Sequence, residues 1–178
     1  MMGLSSYGEP KYKDIILNNL FINNDFKKLN LNLFNHHKKD FVYNFSGVPK
    51  QNILFDDNIY DLLFLDKNNI SEREIKDLAS SCQKIFESIL NKILEKIKKL
   101  NYSRNIVYAG GCALNSLANL EIVKDNYFKN LYIPYAPGDA GGSIGSSLHF
   151  LSSKYQSFEN IDNPYIGNEF SNDDIKSV

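Results

Sequence analysis

Two glycine-rich turns carry the residue types and spacing most suited to chemistry in this sequence. The first contains Gly110 and Gly111, and the second runs from Gly138 to Gly142 with Asp139 between its glycines. Each turn follows a short apolar segment and precedes a segment of helical character. Glycine lets a ligand approach the backbone, and free N–H groups at the start of a helix favour anions. The two turns therefore predict a phosphate site, to which Asp139 adds a carboxylate.

Plainer interpretations exist for each of these features. A single Gly-Gly before a helix is more often a tight connection, so it is the occurrence of two such turns that favours a site. Cys112 follows the first turn, but the sequence places no identifiable base beside it, and packing of a small side chain is the simpler prediction. The adjacent His36 and His37 point to different sides of a strand or turn, which predicts a surface turn rather than a metal site.

Alternating strands and helices must position the two turns. The pattern predicts a strand over 105–108, a helix over 112–125, a second strand over 131–134 and a second helix over 140–154. This alternation is typical of parallel βαβ connections, in which ligands bind beyond the carboxyl ends of the strands. Both glycine turns fall at those ends.

The clearest single element is a helix of about 30 residues that follows Ser71. Ser71 and Glu74 have the spacing of a capping box, and apolar residues then recur at intervals of three and four up to Leu100. We expect this helix to bury its apolar face within the chain rather than in a coiled coil.

The rest of the chain predicts shorter elements. In order, these are a loop over 1–10, a short amphipathic helix over 12–21, strands over 28–33 and 41–45 joined by a turn over 35–40, a short apolar helix or buried segment over 59–65, and a polar loop over 163–175.

Composition narrows the class of partner. The 20 Lys and Arg residues nearly cancel the 21 Asp and Glu residues, so nothing in the global charge favours nucleic acid. No apolar run approaches the roughly 20 residues of a membrane-spanning helix. The two cysteines, Cys82 and Cys112, fit a reducing compartment. We therefore expect a cytoplasmic protein that binds neither nucleic acid nor a membrane.

Three motifs together resemble the bacterial O-carbamoyltransferases of nodulation-factor and antibiotic biosynthesis. They are the opening Met1–Gly8, the central Tyr108–Asn115 and Pro137–Gly145, and they occur in the order found in that family. Segments 29–37 and 164–171 also fit, so the resemblance covers nearly the whole chain. It implies an α/β fold: a lobe of an actin-like ATPase (ribonuclease H-like) domain, with a mixed sheet and packed helices. The domain would be incomplete.

The resemblance also implies a role for each residue of the two turns. The residues that match the family's nucleotide-contacting turn and its continuation are Gly110, Gly111, Asn115, Gly138, Gly141 and Gly142. Asp139 matches the aspartate that completes the family's divalent metal site, an iron site, together with two histidines. Asp139 is accordingly the implied catalytic and metal-binding residue.

In the family that the motifs resemble, a second domain makes carbamoyl adenylate from ATP and carbamoyl phosphate. The actin-like domain then transfers the carbamoyl group to an acceptor hydroxyl on a sugar-like molecule or natural product. Residues 1–178 match only the later part of the actin-like domain, without the upstream His-x-x-x-His metal pair or the adenylate-forming domain. We expect a half-site that separate chains could complete. A kinase of the actin-like superfamily and a non-catalytic lobe that binds nucleotide or a partner remain alternatives.

Overall fold

The structure is a computed structural model that describes residues 2–22, 28–38, 55–155 and 171–176. The chain divides into two compact units, the first made of Met1–Arg104 with Asn115–Lys129 and the second of Asn105–Leu114 with Asn130–Val178. Helices make up the first unit, whereas the strands and both glycine turns belong to the second.

The first unit contains five α-helices and one short 3-10 helix in its described residues. They are α1 (Met2–Ser5), α2 (Lys13–Leu20), the 3-10 helix Leu31–Leu33, α3 (Asn58–Leu63), α4 (Glu72–Leu100) and α5 (Ser116–Lys124). The predicted helices near 12–21 and 59–65 are thus confirmed.

The long helix α4 begins at the predicted capping box. The Ser71 hydroxyl accepts a hydrogen bond from the Glu74 backbone N–H at 3.2 Å, and the Glu74 carboxylate accepts one from the Ser71 N–H at 2.8 Å. The hydrogen bond from the Ser71 side chain lowers the pKa of Glu74. Asn101 ends the helix in the left-handed conformation, with φ 50°.

Helix α4 packs against α1, α2 and α5, so its predicted burial within the chain is confirmed. Leu94 of α4 and Ile122 of α5 are almost fully buried, each contributing roughly 1.5–3 kcal/mol of apolar burial. The expected apolar face is only partly correct, however, because much of the buried side of α4 is polar. The buried polar residues of α4 are Asp77, Ser80, Ser81, Gln83 and Glu87, whereas Ile75, Ile93, Ile97 and Leu100 are exposed.

Two of these buried polar residues hold the opening segment of the chain. The Tyr12 N–H donates to the Ser81 hydroxyl at 2.9 Å, and the Glu9 N–H donates to the Asp77 carboxylate at 2.8 Å. Tyr12 itself is 3% exposed and packs in a core cluster with Leu63 and Leu65. Hydrogen bonds to α4, together with apolar contacts, therefore fix the position of residues 9–12.

The loop predicted over 1–10 is wrong at Met2–Ser5, which forms the single-turn helix α1. The Ser5 hydroxyl donates to the Met2 carbonyl at 2.6 Å, which closes this turn locally. Gly8 then passes so close to α4 that a Cβ added there would lie 2.1 Å from the Lys76 carbonyl oxygen. Only glycine allows this approach.

The strand predicted over 28–33 is also wrong for Leu31–Leu33, which form a 3-10 helix. The Asn30 side chain accepts a hydrogen bond from the Asn32 N–H at 3.3 Å, and this local turn outcompetes the alternating pattern. Leu29 alone makes a bridge, antiparallel to Phe21. The partner strand over 41–45 lies outside the described residues.

The turn containing His36 and His37 is exposed, as predicted. The two rings meet edge to face, with centroids 5.7 Å apart. Near the end of the chain, the predicted polar loop is wrong over Asn172–Lys176, which is the short helix α7. Residues 163–170 of that loop lie outside the described ranges.

The second unit is built on two short parallel strands, β1 (Asn105–Val107) and β2 (Asn130–Tyr132). Their parallel pairing confirms the predicted βαβ arrangement, although β2 begins and ends earlier than expected. The predicted helix over 112–125 is interrupted: a 3-10 helix, Gly111–Leu114, is followed by Asn115 and then α5. The wider mixed sheet of an actin-like lobe stays a prediction.

Helix α6 (Gly142–Lys154) follows a further 3-10 helix, Asp139–Gly141, and ends where predicted. No residue of α6 is buried, and Val107 and Tyr132, which pair across the two strands, are 71% and 59% exposed.

Within the described part of the chain, no helix has the length and apolar character needed to cross a membrane.

Candidate functional site

The two glycine turns lie side by side at the carboxyl ends of β1 and β2. The Gly110 N–H donates to the Pro137 carbonyl at 2.7 Å, which ties one turn directly to the other. A Cβ built on Gly138 would lie 3.8 Å from the Gly111 Cα. The structure thus brings together the two turns that the sequence singles out, at the sheet edge where parallel strands present their ligands.

Two of these glycines are required for different physical reasons. Gly110 has φ 97°, a left-handed conformation that other residues adopt only with strain. Gly141 has an ordinary φ of −76°, but a Cβ there would lie 2.0 Å from the Ala136 carbonyl oxygen. Gly110 therefore serves a positive φ, whereas Gly141 serves a close approach of two backbone segments.

The backbone of both turns is open on the side where a ligand could approach. A Cβ added at Gly111 or Gly142 would meet no atom within 4 Å. The Gly110 N–H is already bonded to Pro137, so it is not available to an anion. Any phosphate held by the first turn would therefore depend on the amides from Gly111 onward.

Asp139 stands at the start of the 3-10 helix that leads into α6. Its side chain is exposed and makes no hydrogen bond or ion pair with another described residue. A free carboxylate suits a hard divalent cation and supplies one oxygen ligand. No group of three or more His, Cys, Asp and Glu side chains with metal-binding geometry occurs within residues 2–22, 28–38, 55–155 and 171–176.

Two further side chains flank the first turn. Burial raises the pKa of Tyr108, and the nearby Cys112 adds to this effect, so the phenol stays protonated at neutral pH. Cys112 is exposed, and the packing role predicted for it is wrong because the 3-10 turn buries Ala113 instead.

Asn115 belongs to the first unit, where it caps α5. Its side-chain oxygen accepts hydrogen bonds from the Ala118 N–H at 3.1 Å and from the Gln83 amide at 3.1 Å. Its own amide donates to the Gln83 oxygen at 2.9 Å. These bonds give Asn115 a structural role that the sequence reasoning missed. The available signal was Gln83 itself, a polar residue within the apolar pattern of α4. Phosphate contact by Asn115 remains a prediction.

Comparison with known proteins identifies the family of the chain. A sequence family described as "Carbamoyltransferase N-terminus" matches residues 1–148. The chain belongs to the carbamoyltransferase family. The matched span contains both glycine turns and Asp139, so the predicted family resemblance is confirmed.

Several curated proteins are similar to this family member. An uncharacterized protein of Synechocystis sp. is 32% identical over 99% of this chain and 29% of its own length. The tRNA N6-adenosine threonylcarbamoyltransferase of Fervidobacterium nodosum is 32% identical over 75% of this chain and 37% of its own length. Nodulation protein NolNO of Sinorhizobium fredii is 27% identical over 55% of this chain and 15% of its own length. The chain thus spans well under half of each relative. No solved structure matches it.

Proposed function

We propose that this chain is the nucleotide- and metal-binding part of a carbamoyltransferase that transfers a carbamoyl group from carbamoyl adenylate to an acceptor hydroxyl. The observation that carries the proposal is the joining of the two glycine turns beside an unpaired carboxylate. Membership of the carbamoyltransferase family supports the reaction class. ATP and carbamoyl phosphate would be the sources of the adenylate, in the cytoplasm, where ATP is available.

Each residue has a distinct part in this proposal. The open backbone at Gly111 and Gly142 would let an adenylate phosphate approach the start of a helix, where the N–H groups and the dipole favour negative charge. Gly110 and Gly138 would hold the two turns at the required distance. Asp139 would hold the divalent metal, iron by resemblance, through one oxygen. A bound metal would polarise the carbamoyl carbonyl and offset charge on the adenylate.

The remaining metal ligands would come from outside the described residues. We propose, as the family resemblance implies, that the chain supplies a half-site; among the described residues the carboxylate of Asp139 is a single ligand, and a stable divalent site needs several. During transfer, the acceptor oxygen would form a bond to the carbamoyl carbon as the bond to the adenylate phosphate breaks, releasing AMP and the hydroxyl proton.

Carbamoylation assays test this proposal. We would incubate the chain with ATP, carbamoyl phosphate and a sugar-like acceptor, alone and together with the protein encoded beside it, and measure carbamoylated product and released AMP. We expect turnover only in the combined reaction. Turnover by the chain alone would contradict the half-site, and phosphoryl transfer without carbamoyl phosphate would favour a kinase.

Asp139→Ala separates this function from a non-catalytic lobe. We expect the substitution to weaken binding of Fe²⁺ or Mn²⁺ by the combined proteins, measured by calorimetry, and to abolish turnover. Ser147→Ala, on the exposed surface of α6, is the matched control and should change neither. Unchanged metal affinity in Asp139→Ala would refute the role of this carboxylate.

A further inference from the structure

Three polar side chains of the first unit form a hydrogen-bonded series that ends at Asn115. On α4, the carboxylate of Glu87 accepts a hydrogen bond from the Gln83 amide at 3.0 Å. The same amide also donates to the side-chain oxygen of Asn115 at 3.1 Å, and the Gln83 oxygen accepts from the Asn115 amide at 2.9 Å. Gln83 and Glu87 are only 6% and 8% exposed, so both are largely shielded from water.

Glu87 sets the direction of the hydrogen bonds in this series. A primary amide changes little in shape when it turns by 180°, so its neighbours decide which end donates. A carboxylate can only accept, and Lys84 donates to the second oxygen of Glu87 at 2.6 Å. Gln83 must therefore turn its NH2 group towards Glu87, which leaves its oxygen to accept from Asn115.

This orientation decides what the Asn115 side chain can offer to a ligand. Its oxygen already accepts from the Gln83 amide and from the Ala118 N–H, which uses both of its lone pairs. One of its two amide hydrogens is donated to Gln83, and the other makes no hydrogen bond within the described part of the chain. Asn115 is therefore held as the donor of one N–H, which suits a phosphate oxygen.

We propose that Gln83 and Glu87 are positioning residues for nucleotide binding, which hold the Asn115 amide so that its remaining N–H can donate to a phosphate. Without Gln83, the Asn115 side chain keeps only its hydrogen bond to Ala118, so it can rotate and must be immobilised when the nucleotide binds. Immobilising one such side chain weakens binding by up to about tenfold. The proposal rests on the nucleotide binding proposed above, and the variants below distinguish failure of one from failure of the other.

Calorimetric titration of the full chain and its variants with ATP tests the proposal. Gln83→Met removes the amide but fills a similar volume, and we expect it to weaken ATP binding about three- to tenfold. Glu87→Met removes only the acceptor that orients Gln83, so the loss should be smaller, about two- to threefold. Asn115→Ala removes the donor itself and should weaken ATP binding about tenfold or more, because a hydrogen bond to a charged phosphate is lost.

A control variant and a second readout separate positioning from a general loss of stability. Ile122→Val removes one buried methylene group from α5 and lowers stability without removing a hydrogen bond, so it should bind ATP like the unmodified chain. In NMR spectra of the unmodified chain, ATP should shift one of the two side-chain amide protons of Asn115. In Gln83→Met, these two protons should already have similar shifts before ATP is added, because neither is hydrogen-bonded to residue 83.

The contrary results are distinguishable from one another. Equal ATP affinity of Gln83→Met and the unmodified chain would overturn the positioning role and leave the proposed function intact. Equal affinity of Asn115→Ala would also overturn it, because Asn115 would then make no contact to position. If Ile122→Val lost as much affinity as Gln83→Met, the effect would be one of stability and the role would be refuted. An unmodified chain that does not bind ATP would refute the proposed nucleotide binding, and the positioning role with it.

Discussion

Replacing Asn115 with alanine should destabilise the first unit more than the loss of a helix cap alone. The Asn115 side chain caps α5 through the Ala118 N–H and exchanges two hydrogen bonds with the Gln83 amide. Loss of an Asn cap costs about 1 kcal/mol. Gln83 is 6% exposed, and losing its Asn115 partner adds about 1–2 kcal/mol. We therefore expect a decrease in the free energy of unfolding of about 2–3 kcal/mol.

Urea denaturation followed by circular dichroism measures this change, because α4 and α5 supply much of the helix signal. A double-mutant cycle with Gln83→Ala isolates the coupling free energy between the two side chains, which we expect to be about 1 kcal/mol. Asn115→Asp is the matched control: its carboxylate can still accept from the Ala118 N–H but cannot donate to the Gln83 carbonyl oxygen, so it should keep the stability due to the cap and lose that due to the pairing with Gln83. A loss of less than about 1 kcal/mol in Asn115→Ala, or no coupling with Gln83, would refute the structural role and favour a residue kept only for phosphate.

Three other changes test separate parts of the structure. Gly141→Ala places a Cβ 2.0 Å from the Ala136 carbonyl oxygen and should lower the free energy of unfolding by about 2 kcal/mol or more, whereas the neighbouring Gly142→Ala meets open space and should be neutral or stabilising; equal urea midpoints would contradict this explanation. Gly110→Ala forces a side chain into φ 97° and should cost about 1–2 kcal/mol by the same assay, and no loss would mean that the turn relaxes easily. Hydrogen bonds lower the pKa of Glu74 in the folded protein, so its contribution to stability is present above its unfolded pKa and disappears as the pH falls through the folded pKa. The melting temperature of the unmodified chain should exceed that of Glu74→Gln at neutral pH, and this difference should vanish in acid. A difference that does not change with pH would exclude the carboxylate charge as its source.

Local signals predicted much of this fold. Ser71 and Glu74 lie close in sequence and form their capping box as expected, because that interaction needs no distant partner. The positions of the glycine turns followed from the alternation of strands and helices, since parallel pairing of β1 and β2 puts both turns at one sheet edge. The features that the sequence predicted correctly are therefore those determined by residues close together along the chain.

The errors arose where a distant or side-chain partner decides the conformation. Leu31–Leu33 alternate like a strand, but the Asn30 side chain bonds to the Asn32 N–H and turns the chain instead. The polar side of α4 depends on partners far away in sequence, since Gln83 bonds to Asn115. The spacing of residues along the chain does not predict the hydrogen bonds between Gln83 and Asn115. The proposed metal site likewise depends on ligands distant from Asp139, because one carboxylate does not define a ligand set by itself.

The hydrogen bond from Gly110 to Pro137 also provides a reporter of occupancy. Because the Gly110 amide proton is shared with the opposite turn, its exchange with solvent deuterium requires the two turns to separate. A ligand that bridges the turns would slow this exchange, whereas one that contacts a single turn would leave it unchanged. The exchange rate of one amide proton can thus distinguish these two modes of binding without any enzymatic assay.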